Sequence, residues 1–181
     1  MTILKSGKEN VSGKENPMRE IKIAKVTLNV GAGKSEDLMK RGLKLLGILA
    51  LGCTPVKTTT KRRIPGWGLR PGLAIGCKVT VRKDAEKLLK RLLAAKENKL
   101  KVSNFDNSGN LSFGIPEYID IEGVKYDPEL KIMGLEVAVT LERFGYRVKK
   151  RRIKQTSIGK KQQITKQEAM AFIKKLGVEV Q

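Results

Sequence analysis

Side chains able to do acid–base, nucleophilic or metal chemistry are few in this chain, and their spacing is poor. Histidine, the commonest general base, is absent. The two cysteines, Cys53 and Cys77, form no C-x-x-C pair, so a structural zinc site lacks ligands. A disulfide between them would have to survive a reducing compartment, and both read as small core hydrophobes. Asp120, Glu122 and Asp127 lie near one another and mimic a catalytic carboxylate pair, but ordinary strand and turn positions account for them. Gly33, Lys34 and Ser35 match the end of a phosphate loop, which needs G-x-x-x-x-G-K-[ST]. Its opening glycine would fall where Leu28 stands, and no hydrophobic strand ending in Asp follows to help hold magnesium. An NTPase at Gly33, Lys34 and Ser35 is the enzymatic alternative. The plainer reading is a tight strand-to-helix turn whose backbone amides meet an RNA phosphate. No enzyme activity, metal or cofactor is expected.

The chemistry that remains is charge. Lys and Arg number 38 against 18 Asp and Glu, a formal net charge of +20 over 181 residues. That disfavours an enzyme of acidic metabolites and points to nucleic acid or an anionic surface. No apolar run approaches the roughly 18 residues that a bilayer-spanning helix needs, and the opening M-T-I-L-K-S-G-K-E-N has no apolar signal core. The expectation is a cytoplasmic protein with no membrane partner.

Two segments concentrate the charge. Val56–Arg82 opens on Lys57, Lys61, Arg62 and Arg63, passes through a Pro/Gly-punctuated loop carrying Trp67 and Arg70, and closes on an alternating strand. That strand sets Cys77, Val79 and Val81 on one face and Lys78, Thr80 and Arg82 on the other. Cations beside an aromatic suit a polyanion with stackable bases. The bland alternative is a solvated loop with Trp67 tucked over the core. The second segment, Arg147–Lys161, carries Lys149, Lys150, Arg151 and Arg152 and almost no acid, and reads as an extended arm lying on phosphates. A nonspecific nucleic-acid-compacting protein remains an alternative, since charge alone does not choose between ligands.

Elements that would position these residues follow from periodicity. Residues 1–17, with S-G-K-E-N at Ser6–Asn10 and again at Ser12–Asn16, read as a flexible tail. Residues 18–181 read as one domain with a basic arm at 147–163 and a C-terminal helix at 165–176. Ile21–Val30 alternates as an inner strand, with Ile21, Ile23, Lys25, Thr27 and Asn29 on one parity and Lys22, Ala24, Val26, Leu28 and Val30 on the other. Ser35 caps a helix running to about Leu51, with Leu38, Met39, Leu45, Leu46, Ile48 and Leu49 buried and with Gly42 and Gly47 allowing close packing. Strands are expected at Pro55–Thr58 and Ile75–Arg82, and a helix at Ala85–Lys96. Further strands fall at Leu111–Ile115, Tyr118–Val124 and Gly134–Phe144. Thr165 and Glu168 form a capping box for the last helix.

Several ordered motifs resemble one family, large-subunit ribosomal protein L-five in its archaeal and eukaryotic-type branch. They are N-P-M-R-E at 16–20, K-V-T-L-N-V-G-A-G at 25–33, T-P-V-K-T at 54–58, and K-R-R-I-P-G-W-G-L-R-P-G-L-A-I-G-C-K-V-T-V-R at 61–82. F-G-I-P-E-Y at 113–118 and D-P-x-x-x-I-M-G-L-E-V at 127–137 continue the series. Trp67 stands where the family usually has phenylalanine, and the doubled S-G-K-E-N is unfamiliar. The resemblance implies an α+β fold, an antiparallel-rich mixed sheet of about five strands backed by helices. It implies a non-enzymatic constituent of the large subunit, monomeric within the ribosome, that binds 5S rRNA, adjacent large-subunit rRNA and neighbouring ribosomal proteins. By position, rRNA would meet Asn29, Lys57, Lys78, Thr80 and Arg82 of the sheet and Lys149, Lys150, Arg151 and Arg152 of the arm. The loop 60–72, with Lys61, Arg62, Arg63, Trp67 and Arg70, would reach peptidyl-site tRNA.

Overall fold

A computed structural model describes residues 16–50 and 52–181. Nearly all of the expected tail, including the doubled S-G-K-E-N up to residue 15, lies outside them. Asn16 accepts a bond from the Met18 amide and caps a single 3₁₀ turn, Pro17–Arg19.

In chain order the elements are β1 (Ile21–Gly31), α1 (Glu36–Leu49), β2 (Val56–Thr59), β3 (Ala74–Val81), α2 (Ala85–Ala94) and β4 (Lys99–Leu100). There follow β5 (Leu111–Ile115), β6 (Leu135–Arg143), α3 (Arg147–Lys150), α4 (Lys166–Lys175) and β7 (Glu179–Val180). The expected α+β class holds. Five strands in the order β2-β3-β1-β6-β5 form one antiparallel sheet, and β4 and β7 make a short parallel pair apart from it. β1 is an inner strand, as its apolar content requires.

Strict alternation builds the sheet's two faces. Val26, Leu28 and Val30 of β1, Cys77, Val79 and Val81 of β3, and Leu135, Val137, Val139 and Leu141 of β6 are all buried. α1 packs on β1 and β3, and α2 on β1, so this face carries the core. α1 begins at Ser35, whose hydroxyl accepts from the Leu38 amide, with Glu36 and Asp37 in the first turn against the positive end of the helix dipole. Its buried stripe is Met39, Gly42, Leu45, Leu46 and Leu49. Gly42 lets the helix approach closely: a Cβ there would sit 2.7 Å from Cys77 Sγ and 3.3 Å from Val30 Cγ1. α2 buries Ala85, Leu88, Leu89, Leu92 and Leu93. The capping box of α4 forms as expected, Thr165 and Glu168 each satisfying the other's backbone N–H.

Four expectations need correction. Leu38 and Ile48 are exposed: Ile48 falls off the buried stripe of α1 at 100° per residue, whereas Leu38 shares the stripe's direction but lies in the helix's first turn. A Cβ at Gly47 would touch nothing, so only Gly42 serves close packing. Tyr118–Val124 is not a strand. Tyr118–Asp120 is a 3₁₀ turn, local bonds from Ile121 to Tyr118 and from Val124 to Ile121 replace a ladder, and Arg91 donates twice to the Glu122 carbonyl, at 3.0 and 2.5 Å. Finally, a bulge between Ile23 and Lys25 reverses the parity of β1. Before it, Ile23 opposes buried Leu141 and Lys22 opposes Glu142; after it, Lys25 opposes Thr140 and Thr27 opposes Ala138. Residues 21 and 23 therefore do not share the face of Thr27 and Asn29.

Candidate nucleic-acid interface

Residues that oppose one another across an antiparallel pair point to the same side. The face away from α1 and α2 can therefore be read from register. Asn29 opposes Lys78, Thr27 opposes Thr80, and across the other edge of β1 Asn29 opposes Glu136 and Lys25 opposes Thr140. Ser112 and Gly114 of β5 extend this face. It is a polar plane with cations at Lys22, Lys25 and Lys78. Asn29 donates from Nδ2 to Glu136 Oε2 at 3.0 Å, which orients its amide. Lys78 is exposed and Thr80 half-buried. Arg82 follows the last paired residue, Val81, and is exposed at the sheet margin. Lys57 sits differently: it opposes Cys77, so it belongs to the helix side of edge strand β2, where it is exposed. The structure brings Asn29, Thr80 and Lys78 together and leaves Lys57 apart. Lys22 was set on the wrong face, and Lys25, set on the face of Asn29, was not named as a contact. For Lys25 the alternation was signal enough; for Lys22 the bulge had to be seen.

The loop between β2 and β3 is built as a hairpin extension rather than a slack tether. The Thr60 amide donates to Leu73 O and the Gly72 amide to Thr60 O, both at 2.8 Å, and the Thr60 hydroxyl donates to Leu73 O at 3.0 Å. Further out, Ile64 and Leu69 exchange both backbone bonds at 3.0 Å. Pro65–Trp67 is a 3₁₀ turn closed by Gly68, whose φ of 59° is left-handed. Buried Thr60 and Leu69 hold the base, while Lys61, Arg62, Arg63 and Arg70 are exposed. Trp67 is 70% exposed, so it does not tuck over the core. None of the four cations pairs with a carboxylate among the described residues. An indole in water beside unpaired guanidinium groups can stack on a base while they meet phosphates.

The arm is not extended. Arg147–Lys150 makes one helical turn, α3, and the chain then folds on itself, with Arg151 Nε donating to Lys154 O and Gln155 Nε2 to Lys149 O. Lys149, Lys150, Arg151 and Arg152 are exposed, and Lys150 pairs with Glu142 of β6. The arm's root is tied down by Arg143, 5% exposed. Its Nη1 donates to Gln162 O and Gln163 O, and its Nη2 bonds Glu168 at 2.7 Å; its buried Nε has no partner. The Tyr146 hydroxyl donates to Gln162 O, and the Gln162 side chain donates to Met18 O and Phe144 O. Between the arm and Lys25, Thr140 and Glu142 of the sheet lies a cleft of about 480 Å³. Sequence reasoning missed Arg143, although it continues the parity of buried Leu135, Val137, Val139 and Leu141; a charged residue there was not read as buried.

The chemistry set aside from the sequence finds no support in the geometry. Leu28, at the place of the phosphate loop's first glycine, is a fully buried strand residue. The Ser35 hydroxyl is spent on the helix cap. Asp127 is held by Lys44 at 2.8 Å, which lowers its carboxyl below the ordinary range and raises the Lys44 amine. Asp120 and Glu122 are exposed, and no cluster of metal-ligating side chains forms among the described residues. Cys53 and Cys77 are free thiols, and burial pushes the Cys77 thiol up and away from reactivity.

Comparison with known proteins accounts for nearly the whole described chain. Residues 16–70 match the family model described as ribosomal protein L5, and residues 74–172 match the model for the C-terminus of the same ribosomal family. The boundary between the two falls just before β3, inside the same sheet. The proteins called large ribosomal subunit protein uL5 in three archaea are similar throughout. That of Nanoarchaeum equitans is 50% identical over 92% of this chain and 99% of its own length. That of Sulfurisphaera tokodaii is 46% identical over 88% and 90%, and that of Nitrosopumilus maritimus 46% over 92% and 96%.

Proposed function

Because the chain belongs to the ribosomal protein L5 family, and so is a non-enzymatic structural constituent of the cytoplasmic large ribosomal subunit, we propose that it holds two RNAs on two separate surfaces. 5S rRNA, with adjacent large-subunit rRNA, lies on the open sheet face and the basic arm. Peptidyl-site tRNA meets the loop 60–72.

One observation carries the first half. A single sheet buries its core with one face and offers Lys25, Thr27, Asn29, Lys78 and Thr80 with the other. A rigid plane of hydroxyl, amide and ammonium groups suits RNA read by shape, 2′-hydroxyls and backbone. The loop supports the second half by the same logic at smaller scale: cations without internal partners around an exposed indole, on a framework already ordered.

The test is a competition at moderate salt. Labelled 5S rRNA bound to the purified protein is challenged with unlabelled 5S rRNA or an equal mass of unrelated folded RNA. The account expects 5S rRNA to displace it far better; equal displacement would leave only charge-driven, nonspecific binding. In the same assay Asn29→Ala and Thr80→Val should each weaken binding by about 1–3 kcal/mol, by leaving a buried RNA group unpaired. Their melting temperatures should stay close to the parent's. A lowered melting temperature with undiminished affinity would place both side chains in a structural role.

A further inference from the structure

Lys34 is the residue that the phosphate-loop reading needed and that the fold leaves without that use. It lies in the β1–α1 turn, far in sequence from the loop between β2 and β3, yet its side chain crosses the tip of that loop. A Cβ built on Gly68 would stand 2.5 Å from Lys34 Nζ and 3.3 Å from its Cε. The end of the Lys34 side chain thus lies over Gly68, one of the two glycines of the tip. Gly68 has a φ of 59°, a left-handed conformation that disfavours any residue with a Cβ.

Among the described residues nothing uses the amine that lies there. Lys34 is exposed and pairs with no carboxylate among the described residues, although Glu36 and Asp37 follow it closely. Among the described residues it sits over no aromatic ring, unlike Lys22, which lies 3.9 Å from the Phe144 centroid. An additional ammonium is therefore brought to a tip that already carries Lys61, Arg62, Arg63 and Arg70. Gathering like charges destabilises the free protein unless an external anion offsets them.

We propose that Lys34 is a phosphate contact of the loop's RNA site, which is then a composite of two chain segments: the loop supplies its four cations and the indole, and the β1–α1 turn supplies a fifth cation across Gly68. This rests on the reading of the loop as a tRNA contact. The turn that resembles a nucleotide-binding loop keeps its lysine for phosphate, but the phosphate belongs to a polynucleotide bound in trans.

The experiment uses whole ribosomes carrying Lys34→Met, which keeps an apolar stem on Gly68 and removes the charge, Lys34→Arg, which restores charge, or Arg63→Met as a loop control. Binding of deacylated tRNA at the peptidyl site is measured across a salt series. One lost phosphate contact should weaken binding about fivefold near 0.1 M salt and lower the slope of log K against log salt by about 0.7–0.9. Lys34→Met should show both effects, and Lys34→Arg neither. A purely packing role would leave the salt slope unchanged. If Lys34→Met behaves as the parent while Arg63→Met weakens binding, the assignment of Lys34 is overturned and the loop reading stands. If neither substitution changes affinity or slope, both fall together.

Discussion

The two basic segments look alike on paper and are built in opposite ways. The loop from Thr60 to Leu73 orders itself: its own backbone pairs at Thr60/Leu73 and Ile64/Leu69, and its cations point into solvent without carboxylate partners. The arm after β6 has a few bonds of its own but is also tied to its neighbours. Arg143, Tyr146 and Gln162 pin its root, and Glu142 takes up Lys150. Positive charge therefore does not mean the same thing in both places. In the loop it is left without carboxylate partners on an ordered framework, which suits the proposed tRNA contact. In the arm part of it is already spent on holding the segment against the sheet, beside the face proposed to bind rRNA.

Arg143→Met should break this contrast most strongly. It strips the Gln162 and Gln163 carbonyls of a donor and leaves Glu168 without its cation. Loss of one member of a buried pair costs several kcal/mol; with Glu168 39% exposed, about 2–4 kcal/mol is expected. Chemical denaturation would read it. The arm should also lose its protection from proteolysis while the loop keeps its own, because the loop depends on no bond from Arg143.

Within the loop, Leu69→Ala and Trp67→Ala should separate scaffold from contact. Leu69 is buried, so truncation should cost about 2 kcal/mol. Trp67 is mostly in water, so its truncation should change stability by less than about 0.5 kcal/mol while weakening tRNA binding. Equal destabilisation by the two would mean that the indole anchors the loop after all.

The smallest effect is one of pH. The Thr165 amide, and after it the Arg143 guanidinium, hold the Glu168 carboxyl below its ordinary value of 4.5. A depressed carboxyl stabilises the fold above its unfolded value, and that contribution is lost as pH falls through the folded one. The stability gap between the parent and Glu168→Gln should therefore be widest above about pH 4.5 and narrow as the medium is acidified below it. A gap that widened on acidification would have the wrong sign for this cap.

Local signals explain what was legible beforehand. The alternation of Cys77–Val81 and Leu135–Leu141, the cap at Ser35 and the Thr165/Glu168 box each depend on neighbours within a few residues, and each was readable. What was not readable depends on pairing across the chain. The bulge at Ile23/Lys25 exists only against β6, and it alone puts Lys22 on the open face. Tyr118–Val124 alternates like a strand, but Arg91 of α2 takes the Glu122 carbonyl, and the Tyr118 hydroxyl accepts from the Asp127 amide at 3.1 Å. The candidate site divided in the same way. Alternation set Lys78 with Thr80 and Asn29 with Thr27, composition marked the loop cations, and only the family resemblance named Asn29 and Thr80 as RNA contacts, whereas Lys57's side of the sheet, the folded arm and the meeting of Lys34 with Gly68 needed three dimensions.

The central claim is that loop and sheet serve different RNAs, and one replacement tests it. In ribosomes whose protein carries a short Gly/Ser linker in place of Lys61–Arg70, β2 and β3 should still pair, since altering loop length changes closure entropy little. The measurement is tRNA affinity at the peptidyl site, alongside the 5S rRNA content of the same particles. The account predicts full 5S rRNA content with weakened tRNA binding. Normal tRNA binding together with loss of 5S rRNA would contradict it, and would assign the loop to the other RNA.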